Sequence, residues 1–116
     1  MSKRGDIESL ADILEALHRI DQYVKSIDSQ KFMKDLKTQD AVVRNLEIVG
    51  EAAKNISKSL REKYPHVAWS DLSKLRDKLI HHYFGVNLDI VCGIIEDSLP
   101  QLLSQINKIV EIERKS

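Results

Sequence analysis

The chain has 116 residues, 42% of them hydrophobic and 31% charged, and its formal net charge is zero. This length suits a single domain, 1–116, and is too short for two. No apolar run approaches the ~20 residues that cross a bilayer, and the N-terminus has no apolar signal core. The one cysteine, Cys92, cannot form an internal disulfide. We therefore expect a cytoplasmic protein without a membrane segment. A zero net charge means that any basic surface for nucleic acid must be local.

Two long helices are predicted in the first half of the chain. The first covers roughly 6–28, starts near Asp6 or Ser9, and has an apolar stripe of Leu10, Ile13, Leu14, Leu17, Ile20, Val24 and Ile27. The second covers roughly 38–62 and stops before Pro65. Its apolar seam alternates steps of four and three: Val42, Leu46, Val49, Ala53, Ile56 and Leu60. This spacing is typical of an antiparallel bundle.

Two further helices follow. Ser70 can cap the third, whose apolar side is Leu72, Leu75 and Leu79, and Gly85 is placed to end it in the left-handed conformation. Asn87 can cap the fourth, which Pro100 should bend. Its stripe is Val91, Ile95, Leu99, Leu102, Ile106 and Ile109. With no competing strand pattern, the sequence predicts an all-α, four- to five-helix antiparallel bundle.

Two groups of charged residues have more than one interpretation. Between Lys54 and Lys78, seven basic and three acidic side chains give a net charge of +4. This run is either a solvated face or a surface that attracts phosphate. On the second helix, spacings of three and four place a polar line on one face, namely Arg44, Glu47, Glu51, Asn55 and Lys58. This line is either a ladder of exposed pairs or a set of residues that orient groups on the third helix.

The stretch "RDKLIHHYFG", 76–85, combines residues suited to phosphodiester chemistry. Histidine moves protons near neutral pH, and arginine offers paired donors to phosphate oxygens. Together they can cut RNA without a metal: a base activates the ribose 2′-hydroxyl, arginine stabilises the phosphorane, and histidine protonates the leaving 5′-oxygen. The plainer alternatives are a surface ion pair for Arg76 and packed helix-end residues for His81, His82 and Tyr83.

On an ideal helix, Arg76 and His81 lie about 140° apart, whereas Arg76 and Tyr83 nearly share a face. A tight Arg76–His81 pair therefore requires either a helix that loosens near Gly85 or a second chain. We expect a homodimer or higher homo-oligomer that combines two copies of the segment. Adjacent histidines do not have the i, i+4 spacing of two zinc ligands, so we predict no metal and no cofactor.

The sequence resembles the HepT-like members of the HEPN superfamily, small helical bundles with an arginine, four to six residues and a histidine, often followed by x-Tyr. Here that motif is Arg76, His81 and Tyr83. The resemblance covers nearly the whole chain, through the stretches "ADILEALHRI", "AVVRNLEIVGEAAKNI", "WSDLSKLRDKLIHHYFGVNLDIV" and "SLPQLLSQI". Three positions depart from the usual pattern: Ala68 replaces a common proline, Cys92–Gly93 a tryptophan-led pair, and Asp77 a common asparagine.

The resemblance implies a metal-independent RNase that acts as a toxin. Its antitoxin would be a minimal nucleotidyltransferase that adds AMP to the motif tyrosine. By this resemblance Arg76 and His81 are catalytic and Tyr83 is the modification site, with Arg44, Glu47, Glu51, Asp77 and His82 as candidate supporting residues. The alternative is a non-catalytic helical partner, which binds a nucleotide or presents a surface to the nucleotidyltransferase.

Overall fold

The computed structural model describes residues 3–80 and 85–116, without the side chains of residues 3 and 4. It is an all-α bundle, as predicted, in which α1 packs along α3 and α8, and α3 also contacts α5 and α6. The elements are α1 Lys3–Val24, α2 Ser29–Phe32, α3 Leu36–Lys54, α4 Lys58–Lys63, α5 Trp69–Ser73, α6 Leu75–Leu79, α7 Leu88–Gly93, a π turn Ile94–Ser98, and α8 Leu99–Lys115. In these described ranges, no helix has the length and apolar character needed to span a membrane.

The predicted apolar stripes face the core. The seam of the second predicted helix is buried at every position, from Val42 to Leu60, and so are Leu72, Leu75 and Leu79. Most residues of the first and fourth stripes are buried as well, and the others are half-buried, namely Leu14, Val24, Ile27, Ile95 and Leu102. Helical periodicity therefore identified which face of each segment packs inward.

The first helix is shorter at its C-terminus than predicted. It ends at Val24 rather than near residue 28, because Asp28 starts a new helix by accepting a hydrogen bond from the Lys31 amide at 2.8 Å. Asp35 caps α3 in the same way: its carboxylate accepts from the Thr38 amide at 3.1 Å and from the Thr38 hydroxyl at 2.7 Å. These bonds hold the pKa of the Asp35 carboxyl below its usual value.

The second predicted helix, 38–62, is in fact two helices separated by Asn55–Ser57. Ser57 caps α4 through the Leu60 amide. Asp6 does not cap its own helix, which already begins at Lys3; it accepts the Ser57 amide at 2.8 Å and the Ser57 hydroxyl at 2.6 Å. Arg61 donates to the carbonyl of Ala53 at the end of α3 and to that of Ile56 just after it. It thus provides a donor where the helix itself has none left.

The third predicted helix also ends early. It begins at Trp69 after Ala68, with Ser70 already inside it, and α6 stops at Leu79. Ile80 is extended and forms an isolated antiparallel bridge with Val86, while the Asn87 amide donates to the Leu79 carbonyl at 2.8 Å. This pairing takes the place of further helical hydrogen bonds, so the prediction that Gly85 ends the helix is wrong.

Three smaller predictions concern the chain from Gly85 to the start of the last helix. Gly85 has the predicted positive φ, 78°, although it lies beyond the helix end. Asn87 caps α7 as predicted, by accepting a hydrogen bond from the Ile90 amide at 3.2 Å. The sequence predicts a bend at Pro100, and the structure shows the π turn Ile94–Ser98 directly before α8, with Pro100 in the first turn of that helix. A proline is tolerated there because the first turn needs no amide donor.

A buried carboxylate joins the C-terminal helix to the middle of the chain. Glu113 on α8 is 4% exposed and accepts hydrogen bonds from the Tyr64 hydroxyl at 2.5 Å and from Lys63 Nζ at 2.8 Å. The Trp69 indole donates to the Tyr64 carbonyl at 2.9 Å. These contacts fix the loop from which α5 and α6 start.

This contact predicts a loss of stability in alkali. Burial raises the pKa of the Tyr64 hydroxyl, and its hydrogen bond to Glu113 raises it further. The unfolded chain therefore releases this proton first, at its ordinary pKa of about 10, so the free energy of unfolding falls as the pH rises above about 10. The pKa of Lys63 is raised by its hydrogen bond to Glu113, which acts in the same direction.

Urea denaturation at about pH 8 and about pH 11 checks this expectation. The variant Tyr64→Phe keeps the ring but has no hydroxyl to ionise, so it should lose less stability than the wild type over this range. Equal losses in the two proteins would contradict the assignment.

Candidate active site

Arg76 lies on the exposed side of α6, over the middle of α3. Its Nε atom is 3.6 Å from Oε2 of Glu47, and the two side chains are 68% and 27% exposed. The polar line of α3 therefore does contact the third predicted helix, and Glu47 is the residue that makes the ion pair. The pair joins a solvated cation to a carboxylate that is largely enclosed.

Arg76 and most of the polar line form one cleft of about 320 Å³. Its polar lining residues are Asp12, Arg44, Glu47, Glu51, Asn55 and Arg76. Two guanidinium groups thus share a cleft with three carboxylates and an amide. The ion pair of Glu51 is with Lys54, whose Nζ atom is 3.8 Å from Glu51 Oε2. Lys58 belongs to α4 and lies outside the cleft. Asp77 is exposed and does not line it either.

Gly50 allows α5 and α6 to approach α3 closely enough to form this cleft. A Cβ atom at residue 50 would lie 3.2 Å from the carbonyl oxygen of Leu72 and 3.5 Å from Cβ of Leu75. The same position is 3.9 Å from the backbone nitrogen of Arg76. The sequence analysis missed this residue, although a glycine inside a strongly helical pattern is a known sign of close helix packing.

His81, His82 and Tyr83 lie outside the described residues. The structure nevertheless corrects the geometry that was used for them, because α6 ends at Leu79 and Ile80 is already extended. The helical angles predicted between Arg76, His81 and Tyr83 therefore do not apply. The angular mismatch that favoured a site built from two chains is removed with them.

The basic run from Lys54 to Lys78 is largely engaged in local contacts. Lys54 pairs with Glu51, Lys63 with Glu113, and Lys78 with Asp71 at 3.4 Å. Arg61 donates to backbone carbonyls, as described above, and Arg76 pairs with Glu47. Five of these seven basic side chains thus have partners within the chain, which favours the solvated face over an open phosphate-binding surface.

Cys92 has the environment of a structural thiol. It is half-buried, with its Sγ atom 3.9 Å from Sδ of Met33. Burial raises the pKa of this thiol, and the carboxylates of Glu96 and Asp89 raise it further. Because the thiolate is the nucleophilic form, Cys92 is poorly suited to nucleophilic chemistry.

Comparison with known proteins identifies the family of the chain. The model of a family described as ribonuclease HepT-like matches residues 13–109. A protein of Methanocaldococcus jannaschii named "Putative RNase" is 41% identical over 96% of this chain and 92% of its own length. A "Probable ribonuclease HepT" of Thermococcus cleftensis is 38% identical over 92% of this chain and 97% of its own. No solved structure gives a significant match.

Proposed function

Because the chain belongs to the ribonuclease HepT-like family, we propose that it is a metal-independent endoribonuclease with Arg76 and His81 as its catalytic residues. The observation that carries the proposal is the exposed guanidinium of Arg76, held over a polar cleft by Glu47. Five residues after Arg76, His81 supplies the side chain best suited to proton transfer near neutral pH.

The proposed reaction is an attack by the ribose 2′-oxygen on the adjacent phosphorus. A general base takes the 2′-hydroxyl proton, and the P–O5′ bond breaks as the new P–O2′ bond forms. Arg76 stabilises the negative charge that develops on the phosphorane oxygens, and His81 gives its proton to the departing 5′-oxygen. The products are a 2′,3′-cyclic phosphate and a free 5′-hydroxyl.

The cleft contains further candidates for a supporting role. Arg44 is exposed in it and offers a second set of paired donors to RNA phosphates. Glu47 and Glu51 line it as well, whereas Asp77 and His82 are proposed only from their positions beside the catalytic pair. All five remain predictions.

We also propose that the protein is the toxin of a toxin–antitoxin pair in the cytoplasm, acting as a homodimer or higher homo-oligomer. Its partner would be a minimal nucleotidyltransferase that transfers AMP from ATP to the hydroxyl of Tyr83 and releases pyrophosphate. The added phosphate anion would lie seven residues from Arg76 in sequence. This charge would oppose RNA binding at the same motif.

Cleavage assays on two matched oligonucleotides test the proposed reaction. We expect the purified protein to cut RNA at the same rate with and without EDTA, because no step uses a metal. A 2′-deoxy oligonucleotide of the same sequence should not be cut, since it lacks the nucleophile. Cleavage that requires magnesium would contradict the mechanism. Absence of cleavage, combined with binding to a nucleotidyltransferase, would indicate the non-catalytic partner instead.

A further inference from the structure

We propose that Glu47 is a positioning residue that orients the guanidinium of Arg76 toward the RNA phosphate. This inference rests on the proposed function and assigns a specific task to one residue of the cleft. It starts from the contrast within the ion pair, in which Arg76 is 68% exposed and Glu47 only 27%. A long exposed side chain has many rotamers, so a fixed partner is needed to keep it in one of them.

The contact with Glu47 leaves the two terminal nitrogens of the guanidinium available to a phosphate. Glu47 approaches Arg76 at Nε, 3.6 Å away, which is the nitrogen nearest the side-chain stem. The two terminal nitrogens form the opposite edge of the planar group, and this edge can donate two parallel hydrogen bonds to phosphate oxygens. A carboxylate at Nε therefore directs the arginine without occupying the donors that a phosphate requires.

The same face of α3 also fixes the backbone of Arg76. Gly50 is three residues after Glu47, so the two are neighbours on one side of the helix. A Cβ at Gly50 would lie 3.9 Å from the Arg76 nitrogen, which shows how closely this residue's backbone approaches α3. The close packing at Gly50 thus fixes the backbone of Arg76, and the ion pair with Glu47 fixes its guanidinium group.

A purely electrostatic role for Glu47 would have the opposite effect on RNA. A carboxylate in the cleft repels phosphate, so its neutralisation should strengthen RNA binding and leave the chemical step intact. A positioning role predicts that the chemical step slows although RNA binds as well or better. The separation of kcat from KM therefore distinguishes the two roles.

The variant Glu47→Gln removes the charge with almost no change in shape. We expect kcat for RNA cleavage to fall about 10- to 100-fold, the size of effect that follows from misplacing a catalytic group, while KM stays constant or decreases. Glu47→Asp keeps the charge on a shorter side chain and should recover part of kcat. Both variants should unfold within about 2 °C of the wild type, because an ion pair with one solvent-exposed partner, here Arg76, contributes little to stability.

Glu15→Gln is the matched control. Glu15 also pairs with an arginine, Arg19, at 2.6 Å, but outside the cleft. The control loses the same charge and the same kind of contact, so it should keep the kcat of the wild type. A Glu47→Gln protein with unchanged kcat, or an equal loss in Glu15→Gln, would overturn the positioning role while leaving the RNase intact. A wild type that does not cut RNA would overturn the proposed function itself.

Discussion

Replacing Arg76 with alanine is expected to reduce the rate of RNA cleavage by about 10²- to 10³-fold, the effect typical of removing one donor to a developing oxyanion. The loss should appear mainly in single-turnover rates, because the guanidinium acts on the charge of the phosphorane. Arg76→Lys should remain impaired, since an ammonium group has the charge but not the planar pair of donors. Folding should be nearly unaffected, because Arg76 is exposed.

Arg19→Ala is the control for this substitution. Arg19 is another exposed arginine in an ion pair with a glutamate, and it lies outside the cleft. Its removal should leave the cleavage rate unchanged. A similar loss in both variants would indicate a general effect of positive charge on RNA binding rather than a catalytic role for Arg76.

Mixing the inactive variants Arg76→Ala and His81→Ala shows which chains build the site. Suppose that each site takes Arg76 from one protomer and His81 from its partner. Half of the dimers in the mixture then contain one chain of each variant, and one of the two sites in such a dimer is intact. The mixture then recovers about one quarter of the wild-type activity. If both residues come from one chain, no activity returns. Because α6 ends at Leu79, the angle of an ideal helix no longer argues against the second arrangement.

The parts of the fold that could be predicted are those set by local periodicity. The seam from Val42 to Leu60 is buried throughout, because one apolar residue every three or four positions leaves a helix a single face to bury. Asn87 caps its helix as predicted, since capping depends only on the amide three residues ahead. Such signals lie within a few residues in the sequence and do not depend on the rest of the chain.

The parts that could not be predicted depend on distant contacts. The second helix breaks at Ser57, which donates hydrogen bonds to the carboxylate of Asp6, 51 residues earlier in the chain. The third helix ends at Leu79, whose carbonyl accepts the amide of Asn87 from beyond the motif. A contact between the polar line and the third helix was one of two interpretations. The choice between them, and the pairing of Glu47 with Arg76, depended on how α3 and α6 cross. Periodicity gives the faces of helices but not which faces meet.

The variant Tyr83→Phe is expected to remain an active RNase and to escape inactivation by the proposed nucleotidyltransferase antitoxin completely. A tyrosine hydroxyl ordinarily has a pKa of about 10, so it is protonated at neutral pH and a poor general base. The hydroxyl is still a competent nucleophile toward ATP when a partner enzyme supplies a metal and a base. Removal of this one oxygen should therefore abolish AMP transfer and spare RNA cleavage.

Incubation with the nucleotidyltransferase, ATP and magnesium provides the measurement. The wild type should gain the mass of AMP and lose its activity, whereas Tyr83→Phe should show neither change. Tyr23→Phe, which alters an exposed tyrosine of α1, should be modified and inactivated like the wild type. A folded Tyr83→Phe protein that cannot cut RNA would instead place the hydroxyl in the catalytic step. AMP found on the Phe variant would move the modification to another residue. Either result would contradict the assignment of Tyr83 as the regulatory residue that takes no part in catalysis.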